Sequence, residues 1–154
     1  MQYQSAQISI SVEAVAREIY AISALRDFLS PDGAAVPQLL SPDHQKALTP
    51  VIRSSFLQVA LEALGNIESI HPGEDDDSIM PLTIKVPIGT ADTTLRIIRH
   101  AIEQAVASAT LATCYAGIDP DVADEFAIHL NRSLDTIRIL LPPTPILPRI
   151  SPGL

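Results

Sequence analysis

Two clusters of acidic residues have the composition of a divalent-cation site. Residues 74–77 read Glu-Asp-Asp-Asp, and Asp121, Asp124 and Glu125 lie within one helical turn of each other. The first cluster lacks the alternating ligands and the later bidentate Glu of a calcium loop. We therefore expect it to be a solvated, acidic turn.

The second cluster suggests a magnesium site, because helical nucleotide pyrophosphatases hold magnesium with clustered carboxylates. Such a site needs inward-pointing acidic residues on at least two facing helices. The interior positions of the other predicted helices are Ile, Leu and Ala. We expect these carboxylates to stabilise the start of a helix through its dipole, and we predict no metal and no cofactor.

Candidate nucleophiles and bases are dispersed along the chain. The single cysteine, Cys114, lies in an apolar helical stretch and excludes an internal disulfide. No Gly-x-Ser-x-Gly sequence and no glycine-rich phosphate loop occurs. Because the histidines form no i, i+4 pair, we predict no catalytic residues and no enzyme. The histidines, which we expect at surface or boundary positions, are His44, His71, His100 and His129.

Composition narrows the fold class and the kinds of partner. The chain has 154 residues, of which 47% are hydrophobic and only 4% aromatic, which favours closely packed helices. A formal charge of −8 argues against a surface that binds nucleic acid. We expect no membrane span and no secretory leader.

Apolar periodicity and capping residues predict six elements. A strand is predicted over 2–10, with Ser11 as the cap of the following helix. Ser41-Pro42 predicts a short helix and Thr49-Pro50 a kink or restart before a longer, central helix. The predicted helices span 12–29, 50–69, 91–116 and 120–141, and the second strand runs from Leu82 to Ile88.

The predicted fold is therefore mainly α, a bundle of about four helices with two short β segments. Pro81 and Pro87 place the second strand at a sheet edge. Because two strands alone are marginal in water, we expect a neighbouring copy to complete the sheet. The residues expected to pair the strands are Ile8, Ile10, Leu82, Ile84 and Val86.

The C-terminal sequence is apolar and rich in proline. Five prolines between 142 and 154 exclude a helix and a central strand, and only Arg149 is charged. We predict a bundle domain over 1–141 and an extended docking arm over 142–154. The residues expected to contact a partner are Leu141, Ile146, Leu147, Arg149, Ile150 and Leu154.

In the predicted layout, a short β segment leads into a helix, and a long helix pair precedes a loop and the β segment Leu82-Thr-Ile-Lys-Val86. Two further helices end in Asp135-Thr-Ile-Arg-Ile-Leu-Leu141 and the arm. This layout resembles the small head–tail connector proteins (adaptor or neck proteins) of tailed bacteriophages and of prophages in gut Bacteroidales. The resemblance covers nearly the whole chain and is based on element order and size.

The resemblance implies a virion protein that forms a homo-oligomeric ring, commonly of about twelve copies, beneath the portal. Its arm would hold the ring on the portal or a neck protein, and the genome would pass through an acidic channel without specific binding. The proline-rich, nearly uncharged arm departs from the basic arms of that family. Two alternatives remain: a dimeric helical regulator or adaptor outside a virion, and a magnesium-dependent helical nucleotide hydrolase.

Overall fold

The computed structural model describes residues 2–29, 40–74 and 76–142. These residues form four helices and a three-stranded antiparallel sheet, with one 3₁₀ turn at Pro42–His44. This confirms the prediction of a mainly α fold with short strands. The elements are β1 (Tyr3–Ser11), α1 (Val12–Leu29), α2 (Gln45–Ala63), β2 (Ile67–Ile70), β3 (Ile79–Pro87), α3 (Asp92–Tyr115) and α4 (Pro120–Leu140).

Side chains at the helix starts explain why several boundaries were predictable. The Ala14 N–H donates to Ser11 Oγ (3.2 Å), which confirms Ser11 as the cap of α1. At α4, the Val122 N–H donates to Asp119 Oδ1 (3.4 Å) and Pro120 occupies the first turn. These caps place both helix starts within a residue of their predicted positions.

The strand order is β1–β3–β2, so β3 is the central strand. The prediction that its prolines place it at an edge is wrong. The Pro81 carbonyl accepts from the His71 N–H (3.1 Å), just beyond the end of β2 at Ile70. The N–H and C=O of one strand residue point to the same side of the strand. The nitrogen of Pro81, which has no hydrogen to donate, therefore faces the β2 side at a position where β2 has already ended.

A third strand, β2, occupies residues that were predicted to continue α2. The predicted helix over 50–69 ends at Ala63, and Leu64 is already extended. No restart occurs at Pro50, which lies inside a continuous helix. Ile67 therefore belongs to the sheet, and β2 pairs with β3 through a register shift between Ile67 and Ser69.

The core lies between one face of the sheet and the four helices. Alternate residues of β1 and β3 point into it, and the other face of the sheet is turned to solvent. Helix α3 contacts β1 and the three other helices, and α2 also contacts the three other helices, as its two apolar stripes predict. Small residues such as Ala105 and Ala109 are buried along α3, which permits close approach of α4.

Two leucines that fall at the apolar spacing of their helices are exposed. Leu25 of α1 is 59% exposed and Leu61 of α2 is 70% exposed. Two residues before Leu25, Ser23 is buried, and its hydroxyl lies 3.5 Å from the Tyr115 hydroxyl of α3. A polar pair between neighbouring helices thus occupies part of the interface where the stripe predicts only apolar contact.

Candidate functional site

The residues expected to pair the strands do come together, within a single chain. The register sets Ile8 opposite Leu82 and Ala6 opposite Ile84, and β1 joins β3 along its whole length. No neighbouring copy is therefore required to pair these two strands with each other. The five predicted residues all point into the core and are buried: Ile8, Ile10, Leu82, Ile84 and Val86.

Pairing on one side leaves the other side of β1 open. The Val12 N–H donates to the Ser78 carbonyl and the Ile88 N–H donates to the Gln2 carbonyl, both at 3.0 Å. Since successive residues direct their backbone groups to alternate sides, the even residues of β1 face β3 and the odd residues face outward. We call the outward row at Tyr3, Ser5, Gln7 and Ser9 the open edge of β1.

The open edge carries none of the usual features that prevent strand addition. Among the described residues, no strand lies on its outer side, since the sheet order places β1 at the margin. Over Tyr3–Ser11, β1 contains no charged residue and no proline. A long, uncharged edge strand is a template on which another chain can add a strand.

A groove of about 200 Å³ runs beside this edge, between β1 and the first turns of α3. Gln7, Ile8 and Ser9 form one wall. The other wall comes from α3, where spacings of three and four place its residues on one helix face. These residues are Asp92, Leu95, Arg96 and Arg99. The groove thus offers the partly buried side chain of Leu95 between backbone donors and cationic side chains.

The cations of the groove are available to a partner. Within the described ranges, neither Arg96 nor Arg99 forms an ion pair. Glu103, one turn beyond Arg99, is half-buried, and burial raises the pKa of its carboxyl, against the opposing effect of Arg99 and His100.

The solvent face of the sheet is linked by polar contacts that cross β3. Ser5 Oγ donates to Glu68 Oε2 (2.6 Å), and Lys85 Nζ lies 3.9 Å from Glu68 Oε1. Glu68 of β2 therefore contacts both other strands. The contacts leave the outer backbone groups of β1 untouched, because they involve side chains above the sheet.

The acidic run at 74–77 forms a turn between β2 and β3, in the part of it that the structure describes. The Glu74 N–H donates to Asp77 Oδ2 (2.8 Å), so one carboxylate closes the turn. Arg53, buried in α2, donates to the Pro72 carbonyl (2.7 Å) and to the Asp77 carbonyl (2.6 Å). This arginine supports the backbone of the connection, and sequence reasoning did not single it out.

The second acidic cluster lies on the exposed side of α4. Asp121 and Asp124 are exposed, and Glu125 accepts from Arg26 of α1 at 2.7 Å. Across the described residues, no group of three or more His, Cys, Asp or Glu side chains is arranged to hold a metal ion. The cluster thus contributes an inter-helix ion pair and lies outside the core.

Three of the four histidines have local structural contacts. His44 Nδ1 lies 3.2 Å from both the N–H and the hydroxyl of Ser41, and His71 Nδ1 accepts from the Gly73 N–H (2.9 Å). The His129 ring packs 6.5 Å from that of Phe126. Cys114 is half-buried, and burial raises the pKa of its thiol. These contacts account for the side chains as parts of turns and packing.

Leu141 requires a correction. It was assigned to the docking arm, but it is only 3% exposed and its N–H donates to the Ile137 carbonyl (2.8 Å). Leu141 therefore packs in the bundle core, because α4 continues its apolar stripe to this residue. The other arm positions lie outside the described residues: Ile146, Leu147, Arg149, Ile150 and Leu154.

None of the groove residues of α3 was predicted from the sequence as a site residue. The available signal was the spacing of Asp92, Arg96 and Arg99, which places charged residues along one side of the predicted helix. That spacing does not reveal which strand lies opposite. The pairing of β1 with the distant β3 is what brings the open edge next to α3.

Comparisons of the chain with protein-family models, curated proteins and solved structures gave no match. Within the described residues, no helix combines the length and the apolar character needed to cross a membrane.

Proposed function

We propose that this chain is a structural subunit of a phage head–tail connector, a ring that joins the portal to the tail in the virion. In this proposal the helical bundle with its sheet is a rigid body and the 142–154 arm fastens it to a partner. The proposal makes the protein a mechanical component, with no catalytic step. Its partners are other copies of the chain and the portal or neck proteins.

The observation that carries this proposal is the open edge of β1 on a well-packed subunit. Along this nine-residue uncharged strand, every second residue presents outward backbone groups, beside a groove with two arginines that form no ion pair with the described residues. Water can satisfy those groups in a monomer, but a long flat edge favours association with another chain. An apolar arm elsewhere in the same sequence provides a second segment suited to association.

Net charge fits the environment of a genome channel. With a formal charge of −8 per copy, an acidic inner wall would repel DNA phosphates and allow the genome to slide through. The groove arginines would then lie at subunit contacts, away from the channel. A reconstruction of the assembly that shows a basic lumen would contradict this part of the proposal.

The test is the mass and shape of the full-length protein. Size-exclusion chromatography with light scattering, followed by negative-stain microscopy, is expected to show a closed ring. Purified portal protein is expected to retain the ring in a pull-down, whereas a variant lacking 142–154 is expected to lose the complex. A protein that stays monomeric or dimeric at all concentrations, in the presence of portal, would contradict the proposal.

One observation favours a second candidate, a dimeric adaptor outside a virion. Because β1 is uncharged and free of proline, the edges of two copies can pair antiparallel and form one continuous sheet of six strands. Such an interface is self-complementary and stops at two copies. A single species of twice the subunit mass by light scattering would favour the dimer over the ring.

A further inference from the structure

We propose that residues 146–154 of one copy add to the open edge of β1 in the next copy, as an antiparallel fourth strand. This inference depends on the proposed function, since it names the surface that the arm binds within the ring. It goes beyond it by specifying which backbone groups pair and in which direction. The occupant of the edge is thus a segment of this same chain.

The proline positions in the arm determine which residues can face β1. From 146 to 154, prolines occur only at even positions, Pro148 and Pro152. An added strand that directs its odd residues inward keeps an N–H at every inward position, while both prolines face away. The inward residues are Leu147, Arg149, Ser151 and Gly153.

The apolar pattern then determines the strand direction. The even positions are all apolar, and the odd positions include the only charged and hydroxyl side chains of the segment. On β1, outward-facing residues such as Ser5 and Gln7 have exposed side chains on the solvent face of the sheet. Directly opposed residues of antiparallel strands share a face, so antiparallel addition places the odd arm residues on the solvent face. Parallel addition would instead expose the apolar set, which is Ile146, Pro148, Ile150, Pro152 and Leu154.

Antiparallel addition also directs that apolar set to the side of the sheet where the groove lies. There the groove offers Leu95 and the aliphatic stems of Arg96 and Arg99 from α3. The solvent-face positions would continue the polar row of Ser5, Gln7 and Ser9. Hydrogen bonding, apolar contact and polarity therefore agree on one arrangement.

The start of the arm favours docking on another copy. Asn66 Nδ2 donates to the Pro142 carbonyl (3.4 Å) and to the Lys85 carbonyl (3.2 Å), which points to the β2 side of β3. The described chain thus ends on the side of the sheet opposite to the open edge. Pro143 and Pro145 follow, and such a run favours a stiff polyproline spacer over a turn back around the sheet.

An arm leaving one side of the subunit and an edge on the other form a head-to-tail contact. Such heterologous contacts generate rings when the rotation closes, whereas the pairing of two β1 edges stops at a dimer. The arrangement is therefore consistent with the ring of the proposed function. It differs from the dimer because it needs two different surfaces of each subunit.

The test blocks each surface with one proline. Gln7→Pro removes an outward N–H of β1 and none that faces β3, so the subunit is expected to remain folded. Ser151→Pro removes an inward N–H of the arm. Each is expected to weaken self-association by about tenfold or more in sedimentation equilibrium. The matched controls Gln7→Thr and Ser151→Thr keep the N–H and are expected to assemble like the unaltered protein.

Mixing the two proline variants gives the decisive result. Gln7→Pro retains a functional arm and Ser151→Pro retains a functional edge, so one intact contact can form between them. We expect 1:1 heterodimers in the mixture and monomers in each separate solution. Circular dichroism and thermal melting of Gln7→Pro confirm that the variant is folded.

Other outcomes overturn the inference in distinguishable ways. If Ser151→Pro alone forms dimers that Gln7→Pro abolishes, the β1 edges pair with each other and the arm inference is wrong. If both variants still form the ring, the ring proposal stands and strand addition is wrong. If the unaltered protein never exceeds a monomer, both the ring and the strand addition between copies are wrong.

Discussion

The two edges of the sheet differ in how they are protected. The β1 edge is nine residues long, uncharged and regular, whereas β2 contributes only four residues and contains a register shift. β2 also carries Glu68, and the connection that follows it is supported by Arg53. Short, irregular and charged edges resist further pairing. The comparison indicates that the fold protects one edge and leaves the other open.

The largest effect that we expect separates the two sides of β1. Ile8→Pro removes a ladder donor that faces β3 and a buried side chain, so it should lower the free energy of unfolding by at least about 3 kcal/mol. Gln7→Pro, one residue away, should lower it by less than about 1 kcal/mol. Urea denaturation measures both. Equal losses would show that the outward side of β1 is not free in the subunit.

The next largest effect concerns Arg53, which supports the backbone between β2 and β3. Arg53→Met removes two hydrogen bonds from a charged group to the carbonyls of Pro72 and Asp77. We expect a loss of about 2–3 kcal/mol in urea denaturation, with self-association unchanged under native conditions. Arg17→Met is the control, because Arg17 is exposed and pairs only with Glu13; its effect should stay below about 0.5 kcal/mol. A similar small loss in both variants would contradict the role of Arg53.

A third prediction concerns Gly73 in the connection between β2 and β3, with Gly89, which follows β3, as the comparison. Gly73 and Gly89 both have positive φ angles, 78° and 90°, so alanine is strained at either position. At Gly73 a Cβ would also clash with the Arg53 guanidinium, whereas a Cβ at Gly89 would have no described atom within 4 Å apart from its own chain neighbours. Gly73→Ala should cost about 2 kcal/mol and Gly89→Ala about 1 kcal/mol. Thermal melts that rank the two variants in the opposite order would show that the loop relaxes away from Arg53.

The smallest effect involves the polar contacts of the solvent face. Glu68→Gln weakens the contacts with Ser5 and Lys85, both partly exposed, and should cost about 0.5 kcal/mol or less. The effect should shrink at high salt, where exposed ion pairs are screened. Denaturation in low and high salt measures it, with Glu13→Gln as an exposed control. A loss above about 2 kcal/mol would mean that Glu68 helps to hold the sheet together.

Local patterns in the sequence were sufficient for much of this fold. Helix α1 and the start of α4 were predicted correctly because Ser11 and Asp119 provide caps beside clear apolar stripes. The strand β2 was missed because Ile67 falls at a helical spacing from the apolar stripe of α2. Helical and strand patterns overlap in such short apolar stretches, and only pairing with β3 decides between them.

Long-range pairing also limited what the sequence revealed about the site. Proline is a local signal of an edge strand, yet Pro81 lies in the central strand because β2 ends beside it. Leu141 lies in the core because of how α4 packs. From the sequence alone it could not be told apart from the apolar residues of the arm that follows it. The open edge of β1 became visible only once its pairing partner was known. An unpaired strand edge could be predicted from the sequence, but its position on β1 could not.

The central claim is that the open edge of β1, and not the edge at β2, is the assembly surface. Deuterium exchange of the full-length protein, followed by mass spectrometry at low and high protein concentration, compares the two edges directly. We predict that a peptide covering residues 2–11 gains protection as concentration rises, while a peptide covering 66–71 does not change. Protection that grows over 66–71 with none over 2–11 would contradict the account.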